Sequence, residues 1–225
     1  MEGGQGRQGE AGLIRALPAS FFRRPAERVA RELVGATLVS RLGGGVVRAR
    51  IVETEAYLGR GDPASHAFGG RRHAGNASIY CPPGFWYVYR SYGIHWCANL
   101  VTGPAGEGAA VLIRAVTIEG GVELARRRRR GRSDRELANG PGKLCEALAI
   151  DRTLDGVAMV DSAVIVGPGD GAGFRASPIR PANAGRRASP PASPAPPLLV
   201  TPRIGITKAV DWPLRFLAGD PHGRL

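Results

Sequence analysis

Residues 48–58 read RARIVETEAYL, and the layout of this run decides the architecture. It holds β-branched and aromatic residues and no glycine or proline, so it is predicted as a strand. Side chains on a strand alternate between its two faces. Regular alternation puts Ile51, Glu53, Glu55 and Tyr57 on one side and Val52, Thr54, Ala56 and Leu58 on the other. The second set is largely apolar and suits a core. The first lines up two carboxylates and a phenol, which alone reads as the solvent face of a half-exposed sheet.

Working outward, Gly43-Gly44-Gly45 marks a turn between two β-rich runs within residues 38–58. Upstream, AERVARELVGATL carries Val29 and Leu33 four apart, with Pro25 before it and Gly35 near its end, the pattern of a short helix. Downstream, residues 59–84 show no period and read as a long loop of the kind that carries function. GFWYVYRSYGIHWCANLV (84–101) is aromatic and β-branched around Gly93 and reads as a hairpin, followed by a strand in GAAVLIRAV (108–116). The run ELARRRRRG reads as a solvated helix end, KLCEALAI as a short helix, and residues 163–166 as a strand. Residues 1–12 are expected to be unordered, and 167–197, rich in Pro, Ala, Gly and Ser, to form a low-complexity insert. Order resumes in VTPRIGITKAVDWPLRFLAGDP.

The 225 residues fit one domain (13–225) with loose ends, and 43% hydrophobic residues suffice for a core. Thirty-one Lys and Arg against 19 acidic residues give a net charge of +12, which favours a polyanion, either nucleic acid or an anionic membrane surface. No apolar run approaches the ~20 residues that cross a bilayer. The N-terminal stretch lacks the apolar core of a secretory signal, so a cytoplasmic location is expected, nucleoid-associated in a bacterium. Cys81, Cys97 and Cys145 form no metal-binding spacing, and neither a metal nor another cofactor is expected. NGPGK (139–143) lacks the spacing of a nucleotide-binding loop but is able to hold a DNA phosphate.

On the hairpin, Tyr92 sits beside Gly93 at the turn, where a bulky side chain has little core to join. On a basic protein such an aromatic suggests a wedge between base steps, filling the gap left by a base rotated out of the stack.

The blocks RIVETEAYLG, DPASHAFGGR, GFWYVYRSYGIHWCANL, AVLIRAV, NGPGKLCEALAI and PRIGI stand in the order found in one family. The chain resembles the alkyladenine (3-methyladenine) DNA glycosylases of the vertebrate type, over roughly residues 17–166 and again near 198–217. The resemblance implies an α+β fold: a single mixed domain with a curved antiparallel sheet, flanking helices and a protruding DNA-inserting hairpin. It implies a monofunctional glycosylase, monomeric in form, acting on duplex DNA that contains damaged purines. Glu55 corresponds to the general base that activates water and Arg114 to the arginine that holds that water and the carboxylate, with a backbone carbonyl near 204–206 completing the site. Tyr57 and His66 correspond to one wall of the base pocket and Tyr89 to the other. The His66 amide corresponds to the group that reads the base edge, Asn99 to the residue that disfavours the 2-amino group of guanine, and Tyr92 to the intercalating side chain.

These implied roles carry a geometric condition. A two-residue turn at Tyr92-Gly93 would put Tyr89 and Asn99 on opposite faces of the hairpin. Both reach one base only if the connection is odd in length, for example three residues at 92–94, or if an arm carries a bulge. Two rival readings remain at this level: a DNA-binding module without catalysis, and a carbohydrate hydrolase using Glu53 and Glu55.

Overall fold

A computed structural model describes residues 14–169 and 197–219; the expected unordered tail at 1–12 and all but the ends of the 167–197 insert lie outside the described residues. In chain order the elements are α1 (Ala19–Phe22), α2 (Ala26–Leu33), β1 (Thr37–Ser40), β2 (Val47–Tyr57), β3 (Trp86–Ser91), β4 (His95–Thr102), β5 (Ala109–Gly120), α3 (Val122–Arg128), α4 (Pro141–Ala147), β6 (Val164–Gly167), β7 (Leu198–Thr201) and β8 (Arg215–Ala218). The class is mixed α+β. The strands make one antiparallel sheet in the order β3-β4-β5-β2-β1-β6, with β8 paired to β2 and β7 to β8. Among the described residues no helix is long and apolar enough to cross a membrane.

The helix expected after Pro25 forms as α2, with Pro25 as its N-cap residue and Glu27 in its first turn. Gly35, at φ +91°, takes the left-handed conformation as the chain turns into β1. Val29, Ala30 and Leu33 are fully buried in the main core, as are Leu144, Ala147 and Leu148 at α4. Thr54 Oγ1 donates 2.8 Å to the Ala30 carbonyl, tying β2 to α2 through a buried hydroxyl.

Strict alternation along β2 fails. Ile51 faces Val116 and Thr54 faces Ile113, but between them Glu53 pairs with Ala115. Each strand therefore carries an unmatched residue, Val52 in β2 and Arg114 in β5, and both change phase there. Ile51, which alternation places beside the glutamates, is instead fully buried in the same core as Ala56. The irregularity lets Val47, Ala49 and Ile51 pack inward on one side of it and Thr54 and Ala56 on the other. Glu53, Glu55 and Tyr57 are left on the opposite face.

The β3–β4 register runs from Trp86 opposite Leu100 to Ser91 opposite His95. Three residues, 92–94, connect the arms, which meets the odd-length condition. Tyr87 stands opposite Asn99 and Tyr89 opposite Cys97, so all four lie on one face. The stretch 59–84, read as a plain loop, contains 3-10 turns at Gly59–Gly61, Phe68–Gly70 and Ala74–Tyr80. Their short period escapes a search for α-helical or strand spacing. The arginine run is less solvated than expected: Arg128 donates to the carbonyls of Leu42 and Ala147, and Arg129 to that of Leu137.

Candidate active site

β2 places Glu55 and Tyr57 two residues apart on the face opposite Thr54 and Ala56, with β5 alongside both and β8 alongside Glu55. The Glu55 side chain is fully buried, and three donors hold it. The Tyr57 hydroxyl donates to Oε2 at 2.9 Å, Arg114 Nη1 to the same oxygen at 3.4 Å, and the Ile204 backbone amide to Oε1 at 2.9 Å. A carboxylate offers about four acceptor positions, so one remains. The segment near 204–206 thus reaches Glu55 through the Ile204 amide.

Tyr57 has its own support. Arg203 stacks its guanidinium 4.7 Å from the Tyr57 ring centroid. Arg203 also donates to the Ala56 carbonyl at 3.0 Å and forms a two-pronged pair with Asp62, with both side chains fully buried. Burial opposes ionisation of Asp62, but the Arg203 bonds and the amides of Leu58 and Ala64 outweigh it and hold the carboxyl below its ordinary value. The Tyr57 phenol is pushed well up by burial, then by the Glu55 charge and the hydrogen bond to it. It therefore stays protonated and remains a donor.

A cavity of about 490 Å³ opens beside this cluster, bordered by Tyr57, His66, Tyr89, Tyr92, Asn99 and Lys208. Glu55 does not border it; Tyr57, together with Gly205 and Ile206 just beyond the Ile204 amide, stands between them. On the hairpin side Tyr87 and Tyr89 stack at 5.3 Å. His66 Nδ1 lies 2.6 Å from the Tyr87 hydroxyl, and its ring meets Tyr89 edge-on at 4.4 Å. His66 and Tyr89 are therefore in contact and leave no gap for a base between them. Tyr57, His66 and Tyr89 all border the cavity. His66 as a whole is exposed at the surface, yet its contacts with Tyr87 and Tyr89 cover part of the ring. Burial, then the charge of His73, lowers its pKa.

Asn99 is buried, and its Nδ2 donates to the carbonyls of Tyr87 and Cys97 at 3.0 and 3.4 Å. Carbonyls only accept, so this contact fixes the amide orientation. Tyr92 is 89% exposed at the hairpin tip and takes φ +49°, the left-handed region that bulky residues seldom occupy. Just past the tip, the start of β4 touches the NGPGK stretch: a Cβ on Gly142 would stand 2.8 Å from the Cβ of His95. Close packing, then, already accounts for that glycine.

The sequence reading missed three contributors. Arg215 donates to Glu53 Oε1 at 2.6 Å, and Arg114 Nε donates to the same atom at 2.9 Å. The Asp62–Arg203 pair joins residues 141 positions apart, and Lys208 borders the cavity. Arg215 had a faint signal, a charge within the apolar stretch PLRFLA; the other two had none.

The model of the methylpurine-DNA glycosylase family matches residues 20–221. The chain belongs to this family. It is thereby a hydrolase of N-glycosyl bonds of the DNA-3-methyladenine glycosylase type. It is 43% identical over 205 residues to a protein of Nitrosospira multiformis, covering 91% of each chain. It is 46% identical over 201 residues to one of Rhodopseudomonas palustris, covering 89% of this chain and 85% of the other. A relative from Methanoculleus marisnigri is 42% identical over 200 residues, covering 89% of this chain and 93% of the other. All three are named for 3-methyladenine DNA glycosylase activity. Within the family member described here, the residues quoted for the resemblance cluster around one cavity and its buried carboxylate.

Proposed function

We propose that this chain rotates alkylated or deaminated purines out of duplex DNA and hydrolyses their N-glycosidic bond, with Glu55 activating the water, and leaves an abasic site. The carrying observation is the environment of Glu55: a buried carboxylate with three donors and one open acceptor position, next to a tyrosine-lined cavity.

The chemistry fits. The transition state gains oxocarbenium character at the sugar, which a nearby carboxylate stabilises while it orients water. Tyr57 forms one wall and Tyr89 with His66 the other, and a purine carrying the positive charge of N3 or N7 alkylation is held between them by cation–π attraction worth ~0.5–2 kcal/mol. A neutral lesion such as hypoxanthine lacks this gain and leaves after protonation. Asn99 limits the space for a 2-amino group, the His66 amide reads the base edge, and Tyr92 fills the vacated stack. Access of water to Glu55 requires the Tyr57 ring or the 204–206 segment to shift as the base enters.

One observation weighs against the carbohydrate reading. Glu53 is engaged by two guanidinium groups of the protein itself, Arg114 and Arg215, rather than presented to a substrate. Lys208 is the lysine at the cavity, and we assign it to a DNA phosphate; strand cleavage through an amine adduct is not part of this reading.

The test is single-turnover base release from duplexes carrying a 3-methyladenine analogue, 7-methylguanine, hypoxanthine or ethenoadenine. Wild type releases at least one of these bases and gives no borohydride-trapped protein–DNA adduct, while Glu55→Gln is slower by at least ~100-fold. Full activity in Glu55→Gln would remove the base assignment. Binding without release by the wild type would select the non-catalytic DNA-binding module instead.

A further inference from the structure

We propose that Glu53 is a positioning residue, which anchors Arg114 so that this arginine steadies Glu55 without filling its last acceptor position. The proposal rests on the reading of Glu55 as the base. Its ground is the asymmetry of the contacts. Arg114 binds Glu53 through Nε at 2.9 Å and reaches Glu55 only through Nη1 at 3.4 Å. A guanidinium is planar, so pinning Nε fixes where Nη1 stands. Glu53 is itself held from the other side, because Arg215 Nε donates 2.6 Å to the same Oε1.

The phase change between β2 and β5 makes the arrangement possible. Arg114 is the unmatched residue of β5 next to the Glu53–Ala115 pair, and there its side chain reaches the glutamate face. Arg215 arrives from the opposite edge, directly across from Glu55 in the β2–β8 pairing. The accessible fractions of Arg114, Glu53 and Arg215 are 14%, 15% and 20%, so solvent screens these charges only in part.

Charge balance gives the mechanism. Two carboxylates, Glu53 and Glu55, face two guanidinium groups, Arg114 and Arg215, and the group is neutral overall. Without the Glu53 charge, two cations surround Glu55 alone. Arg114 loses its anchor and closes on the carboxylate, taking the position that water needs. The same excess of positive charge favours the ionised carboxylate. Removing Arg215 has the opposite electrostatic sign.

The experiment measures single-turnover release of hypoxanthine from duplex DNA between pH 4.5 and 8 for wild type, Glu53→Gln, Glu53→Asp, Arg215→Gln and Glu55→Gln. Glu53→Gln is expected to be slower by ~10–100-fold, with the acid limb of its profile lowered by about half a pH unit or more. Glu53→Asp keeps the charge, so its limb stays with wild type and part of the rate returns. Arg215→Gln moves the limb up; it also keeps the test open if Glu53→Gln folds poorly. Limbs unmoved in both Glu53→Gln and Arg215→Gln, or moved in the same direction, overturn the proposal. So does Glu53→Asp performing no better than Glu53→Gln. Full activity in Glu55→Gln sinks the underlying base assignment instead, a separate result.

Discussion

Replacing Asp62 by Asn isolates what the buried ion pair does for the pocket wall. The amide keeps the shape but removes the charge that Arg203 faces, and both side chains are fully buried. Wild-type Asp62 accepts two bonds from Arg203, at 2.5 and 2.9 Å, and one each from the Leu58 and Ala64 amides at 3.0 Å. Asn keeps one oxygen, so at least one of these contacts meets a donor instead. The guanidinium, whose Nε already lacks a partner among the described residues, is left as a buried cation without its counter-charge. Breaking a pair of this kind costs about 3–5 kcal/mol. For a chain of this size each kcal/mol corresponds to roughly 2–4 °C, so Tm falls by roughly 6–20 °C. Urea unfolding at pH 7 measures the loss directly. The double variant Asp62→Asn/Arg203→Met removes both charges and keeps one amide oxygen for Leu58 or Ala64; compared with Asp62→Asn it replaces the buried unpaired cation by an Ala56 carbonyl without its donor, a cost of ~1–3 kcal/mol. It should therefore be more stable than Asp62→Asn while still weakening base release, because the support behind Tyr57 is gone. A loss below ~1 kcal/mol in Asp62→Asn would refute the reasoning, as would a double variant less stable than the single one.

Tyr92→Gly separates folding from function: it relieves a left-handed conformation worth ~1–2 kcal/mol and discards an exposed ring. Chemical denaturation should show stability equal to or above wild type, with base release slowed from duplex DNA more than from a single strand. His66 titrates below its ordinary value when folded, so its contribution to stability is complete above about pH 6.5 and is lost as pH falls toward the folded value. Urea midpoints from pH 7.5 to 5 should decline, and His66→Gln should flatten that slope; an unchanged slope would contradict the assignment. DNA affinity should fall linearly in log–log form with salt, by about 0.9 per phosphate neutralised, and a flat response would show that the net charge of +12 plays no part in binding.

Local pattern made much of this molecule legible. Helix α2, the strand at 108–116 and the hairpin follow from period and punctuation, and the need for Tyr89 and Asn99 to share a face demanded an odd-length tip or a bulged arm, of which the structure shows the three-residue tip. The phase change at Val52 and Arg114 was hidden because Ile51 and Val52 are both β-branched, and either choice satisfies alternation. The neighbours of Glu53 were hidden for another reason. Arg215 and Arg114 come from strands brought alongside by tertiary pairing, and separation along the chain erases any spacing rule. The four-residue α1 was missed because it is barely one turn, too short to show a period.

The phase change also makes the number of residues in β2 matter alongside their kind. A one-residue loss between Glu53 and Tyr57 would turn part of the glutamate row toward the helices while leaving the rest of the chain intact. A loss at Val52 is different, because it removes the unmatched residue of β2 and keeps Ile51 inward with Glu53 and Glu55 outward. Tolerance of insertion and deletion in this strand thus concentrates at a single position. Related chains that vary in length here should do so at 52, with a compensating change opposite, beside Arg114.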